Sequence, residues 1–101
     1  MQIIAEKQYF DTTVEQVIQE ESPVKKKPLL VWHLVKDDGK KLYHRTAFSE
    51  AAKPVILAEF QRAGYPLIRG LEQECEDIRG KRVRVCVDER GDVHIVGRAR
   101  P

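Results

Sequence analysis

The chain has 101 residues, 42% apolar and 34% charged, with a net charge of +2. That length supports one domain over residues 1–101, burying roughly two thirds of its unfolded surface, and excludes a second. The composition is too apolar for a disordered tail, and apolar runs such as Leu29–Trp32 are far too short to span a membrane.

In chain order, the first segment fits two elements. Thr13 and Gln16 could form a capping box for a short helix carrying Val14, Val17 and Ile18. Alternatively, Phe10, Thr12, Val14, Gln16 and Ile18 alternate as one face of a long strand. The strand is preferred, because β-branched residues are plentiful and an extra strand is needed to cover the sheet. It ends in a Ser22–Pro28 loop that carries Lys25, Lys26 and Lys27. Leu29–Val35 and Leu42–Phe48 follow as the arms of a hairpin, joined through Asp38-Gly39, a pair that favours the tight primed turn.

Ser49 and Glu50 then suit a helix start, and Val55, Ile56, Ala58, Phe60 and Ala63 repeat near 3.6 before a stop at Gly64. Pro54 either opens the main helix after a short turn over 49–53 or sits in its first turns. Residues 65–80, with Pro66, Gly70, Gly80 and a cluster of acids, read as a connecting loop with at most a short helical piece. A second hairpin pairs Arg82–Val87 with Val93–Gly97 around Glu89, Arg90 and Gly91.

The expected fold is mainly β with one helix between strands three and four, the order used by the five-stranded OB-type Greek-key barrel. The segments Pro28–Val35, Asp38-Gly39, the strand ending at Phe48, the helix through Ala63-Gly64, and Ile78–Val85 together resemble small OB-fold single-stranded DNA-binding proteins of the compact phage type. The resemblance covers about residues 9–99 and implies sequence-tolerant binding of single strands, without catalysis or cofactor. The chain departs from it in its nearly neutral charge and its lack of an acidic flexible tail.

Turn chemistry yields a register. A two-residue Asp38-Gly39 loop places Trp32 opposite Arg45, Leu34 opposite Tyr43 and Lys36 opposite Lys41, on a face shared with Leu30 and Ala47. Trp32 and Tyr43 beside cations would form a stacking platform for bases. The same residues would equally serve as a barrel interior, with His33 and His44 outward. A three-residue loop in the second hairpin sets Val87 against Val93, Val85 against Ile95 and Val83 against Gly97 inward. Cys86 then meets His94, Arg84 meets Val96 and Arg82 meets Arg98 outward. The like-charge pairs Lys36–Lys41 and Arg82–Arg98 would be relieved by a bound phosphate backbone or by nearby acids such as Glu76 and Asp77.

Charge alternates in blocks: −4 over residues 1–21, +5 over 22–47, −3 over 48–78 and +4 over 79–101. If the two basic blocks meet in space they form a polyanion footprint; otherwise the blocks pair as a solvated shell. The expected contacts to nucleic acid are Trp32 and Tyr43 on bases, with Arg45, Lys36, Lys41, Arg82, Arg84, Arg98 and Lys25–Lys27 on phosphates. Weak binding per monomer would favour a homo-oligomer. The competing reading is a protein-binding module that offers a strand edge or the acidic 72–77 loop to a partner.

Cys75 and Cys86 lack metal-ligand or disulfide spacing, no serine elbow or glycine-rich phosphate cradle occurs, and the clustered carboxylates have no partnered base. No metal, cofactor or enzymatic activity is therefore expected. The opening Met1–Lys7 shows no leader pattern, so a cytoplasmic location is expected.

Overall fold

In a computed structural model that describes residues 7–99, the first segment is a 14-residue strand, β1 (Gln8–Glu21). The residues read for a leader lie, apart from Lys7, outside that range. β1 pairs with β2 (Pro28–Lys36) through its second half and with β4 (Arg82–Val87) through its first. Its alternation is not continuous. A bulge between Val14 and Gln16 adds one residue, Glu15, against β2. Thr12 and Val14 point inward before it and Val17 after it, while Ile18 emerges on the outer side, 38% exposed. The single face expected from Phe10 to Ile18 is thus split, because one inserted residue reverses every side chain beyond it.

The same arithmetic governs the hairpin of β2 and β3 (Lys41–Ala47). Its loop has three residues, Asp37, Asp38 and Gly39. The Lys36 N–H donates to the Lys40 carbonyl at 2.8 Å, the Gly39 N–H donates to the Lys36 carbonyl at 2.9 Å, and Gly39 has φ 88°. That is a type I turn closed by a left-handed glycine, in place of the two-residue primed turn. Every pairing moves by one: Trp32 lies opposite His44, His33 opposite Tyr43, Val31 opposite Arg45 and Val35 opposite Lys41.

A turn over Ser49–Ala52, with the Ala52 N–H 3.2 Å from Ser49 Oγ, leads into α1 (Lys53–Arg62), and Pro54 falls in the first turn where no N–H is needed. The helix lays Ile56, Phe60 and the adjoining Ala63 on the sheet, with the Phe60 ring 4.8 Å from Trp32. It ends in a Schellman arrangement: Tyr65 N–H donates to the Phe60 carbonyl and Gly64, at φ 85°, donates to Gln61. The short helical piece expected within the 65–80 connection is a second helix, α2 (Leu71–Asp77), and it takes in the whole acidic run. Two of its acids, Glu74 and Asp77, are bonded to Arg69.

β4 and β5 (Val93–Arg98) pair as expected through Val87–Val93, Cys86–His94 and Val85–Ile95. A bulge then sets Arg84 against Gly97 and Val83 against Arg98, so Arg82 and Arg98 are not opposed. All neighbours are antiparallel in one five-stranded sheet of order β3-β2-β1-β4-β5, with two helices between β3 and β4. Its inner face packs Val14, Val17, Leu34, Val83, Val85 and Ile95 around Trp32 and Phe60. The edge strands meet where His44 Nδ1 lies 2.6 Å from the Val93 carbonyl.

Candidate nucleic-acid interface

The three-residue turn decides which side chains face solvent on β2 and β3. Across β1, β2 and β3 the outer side of the sheet reads Gln16–His33–Tyr43 in one row and Ile18–Val31–Arg45 in the next, with Val31 covered at 2% exposure. Tyr43 is 38% exposed, and its ring meets the His33 imidazole edge-on at 5.1 Å. The Arg45 guanidinium lies over the same ring at 5.4 Å and holds no ion pair among the described residues. His33 is fixed in turn by Glu20, whose carboxylate is 2.5 Å from Nε2.

Two connections border this surface. At one end Glu21 pairs with Pro28, and the loop between them presents Lys25, Lys26 and Lys27, all exposed and none in an ion pair among the described residues. The loop is ordered by its own backbone, with Ser22 N–H donating to Lys27 at 2.8 Å and Lys26 N–H donating to Ser22 at 2.9 Å. Beside Tyr43 stands the 88–92 turn. Asp88 accepts from the N–H groups of Arg90 and Asp92 at 2.9 and 3.0 Å and meets His94 Nε2 at 2.9 Å. The bond from His94, aided by the two backbone donors against partial burial, holds the Asp88 carboxyl below its usual range. Between turn and strand lies a depression of about 280 Å³, lined by Tyr43, Arg45, Asp92 and His94 among others.

Of the residues expected here, Tyr43, Arg45, Lys41 and Lys25–Lys27 do lie on this face or its rim, with Lys41 3.6 Å from Glu15. The others do not. Trp32, 1% exposed, is sealed in the core and offers no face to a base. Lys36 points inward, with its ammonium 4.2 Å from the Phe10 ring and 3.6 Å from Asp38. Arg82 forks onto Asp37 at 3.0 and 3.2 Å, and Arg84 donates to Asp11 at 3.1 Å. Arg98 donates to the Gly64 carbonyl at 2.6 Å and covers Tyr65. Neither expected like-charge pair forms, because the three-residue turn sets Lys41 against Val35 and the β4–β5 bulge sets Arg98 against Val83. His33 and His94 were missed; a three-residue first turn would have put His33 beside Tyr43.

Beneath this face, on the inner side of β3, is a polar cluster. Glu59, 2% exposed, accepts from Thr46 Oγ1 at 2.6 Å and from His44 Nε2. Burial raises the Glu59 carboxyl, but the bond and charge of His44, with Thr46 and Arg62, outweigh it and set the group below its ordinary value. Thr46, His44 and Glu59 have the composition of a nucleophilic triad without its connectivity. Thr46 donates to the carboxylate, and the imidazole nitrogen nearest its hydroxyl is engaged by that carboxylate. Cys75 offers no better nucleophile: burial first, then Glu76, pushes its thiol up to about 11. Among the described residues no three His, Cys, Asp or Glu side chains gather as a metal site, and no helix is long and apolar enough to cross a membrane. No family model and no curated protein sequence matches this chain.

Proposed function

We propose that this chain binds single-stranded nucleic acid, DNA in the first instance, without catalysis, across the outer surface of β2 and β3. The observation that carries the reading is Tyr43. It is an exposed ring with a guanidinium beside it that holds no ion pair among the described residues, set between a trilysine loop and an ordered turn. An aromatic face stacks on any base and a free cation meets any phosphate, so the pair suits sequence-tolerant binding.

The connectivity supports it. Five antiparallel strands in one sheet, with the helices between β3 and β4 and a His44–Val93 bond between β3 and β5, are compatible with a small Greek-key barrel of OB type. In that architecture the strand 2–3 face and its two flanking loops bind oligonucleotides. Here those loops are 22–27 and 88–92, and the binding set becomes Tyr43 and Arg45 with Lys25–Lys27, and with Lys41 at the edge.

Anisotropy of a labelled, unstructured oligonucleotide tests the reading, with the label on the nucleic acid because a buried indole cannot report stacking. Neutralising phosphates with Arg45 and Lys25–Lys27 gives a log–log salt slope of about −3, or about fiftyfold weaker binding at roughly 200 than at roughly 50 mM salt. No binding at the lower salt would contradict the proposal.

A further inference from the structure

On a different part of the surface, where α1 and α2 meet the end of β3, the chain leaves apolar area uncovered. Phe48, Ile56, Leu57, Leu67 and Leu71 line a groove of about 370 Å³. Leu57 is 40% exposed, and Val55, 51% exposed, lies on the same helix. The groove does not end there. A second depression, of about 480 Å³, shares Phe48 and Leu71 and runs to Val17, Gln19 and Leu30 on the paired strands β1 and β2. A third shares Gly70 and Leu71 and follows α2. All three depressions share Leu71, so together they line one trough long enough for an elongated occupant.

The rim selects the occupant's charge. Glu50 borders the first groove, and Glu72 and Glu76 border the other two, against two cations, Lys53 and Arg69, of which Arg69 is already bonded to Glu74 and Asp77. Glu50 and Glu72 hold no ion pair among the described residues, and Glu76 reaches only Arg79 at 3.6 Å. Three carboxylates repel a phosphate backbone, so the trough does not extend the nucleic-acid path. They favour cations flanking apolar anchors.

We infer that this trough seats an apolar segment of a protein partner flanked by lysine or arginine, its anchors over Phe48 and Leu71 and its cations against Glu72, Glu76 and Glu50. The helix-in-groove mode is the nearest general pattern: apolar side chains supply affinity and the charged rim supplies register and discrimination.

The test uses two labelled peptides with identical leucine anchors, one flanked by lysines and the other by glutamates, titrated against the full chain and against Leu57→Lys and Glu72→Lys. Both substitutions are at exposed positions, and circular dichroism checks that each variant is folded. The expected result is that the lysine peptide binds about tenfold more tightly than the glutamate peptide, that each substitution removes about tenfold of its affinity, and that oligonucleotide binding is unchanged in Leu57→Lys. Equal affinity for the two peptides, or lysine-peptide binding indifferent to both substitutions, would overturn the inference. So would sedimentation showing a dimer that Leu57→Lys dissociates, since a second copy would then be the occupant. Failure of oligonucleotide binding alone would count against the β2–β3 face and leave the trough standing.

Discussion

Tyr43 and Tyr9 stand in nearly matching settings on the outer surface of the sheet, and they differ in the charge beside them. Each has a guanidinium across its ring, Arg45 at 5.4 Å and Arg84 at 5.6 Å, and Tyr9 is the more exposed of the two at 52%. Arg84, however, donates to Asp11 at 3.1 Å, whereas Arg45 meets no carboxylate among the described residues. On the proposed reading, exposure of an aromatic ring is not what distinguishes the Tyr43 surface from the Tyr9 one. The free cation does, because a guanidinium already neutralised by its own chain gains little from a phosphate and must first be released.

The largest expected effect concerns the floor beneath the Tyr43 surface. Trp32→Ala empties the centre of the core and should cost about 3–5 kcal/mol in chemical denaturation. If it instead left stability unchanged while weakening oligonucleotide binding, the indole would be a contact residue and the inward placement of its face would be wrong. Next comes Tyr43→Ala, which should weaken oligonucleotide binding by about 1–3 kcal/mol, while Tyr9→Ala should change it by less than about 0.4 kcal/mol, read by anisotropy on both variants. Equal losses at the two tyrosines would break the comparison.

Acid should affect the β3 side before the β1–β4 side. Glu59 ties β3 to α1, and its carboxyl lies below the ordinary value of 4.5 in the folded chain. A depressed carboxyl stabilises the fold fully above 4.5 and loses that contribution as pH falls through its lower folded value. Hydrogen exchange should therefore show β3 amides losing protection below about pH 4 ahead of β1–β4 amides, and Glu59→Gln should remove the pH dependence while lowering β3 protection at neutral pH. The smallest effect sharpens the contrast. Asp11→Asn frees Arg84 and should strengthen oligonucleotide binding by no more than about twofold, detectable as a slightly steeper salt dependence.

Much of this architecture is legible from local chemistry. Alternating β-branched runs and turn glycines mark β2 to β5, and Pro54 and Gly64 bound α1, while Ser49 closes only the turn before it, since α1 is capped at Ala52 without a side-chain bond. The one-residue decisions are not. Asp38-Gly39 can form a complete two-residue turn or the last two residues of a three-residue one, and the choice turns Trp32 inward and leaves Tyr43 with Arg45 outward. In the second hairpin the same kind of loop was placed correctly around Gly91, and the register held until the bulge beyond Val85. The bulges at Glu15 and Val96 insert one residue within otherwise alternating runs that carry no local turn signal, so alternation alone does not reveal them. The fates of Arg82 and Arg84 were hidden for a similar reason: Asp37 and Asp11 lie 45 and 73 residues away in the chain.

The most direct test of the β2–β3 surface is an amide NMR titration of the full chain with an unstructured oligonucleotide at low salt. The account expects the largest shifts at Tyr43, Arg45 and Lys25–Lys27, with Tyr9, Arg84 and the α1–α2 trough unmoved. Shifts centred on Tyr9 and Arg84, or no shifts at saturating oligonucleotide, would contradict it.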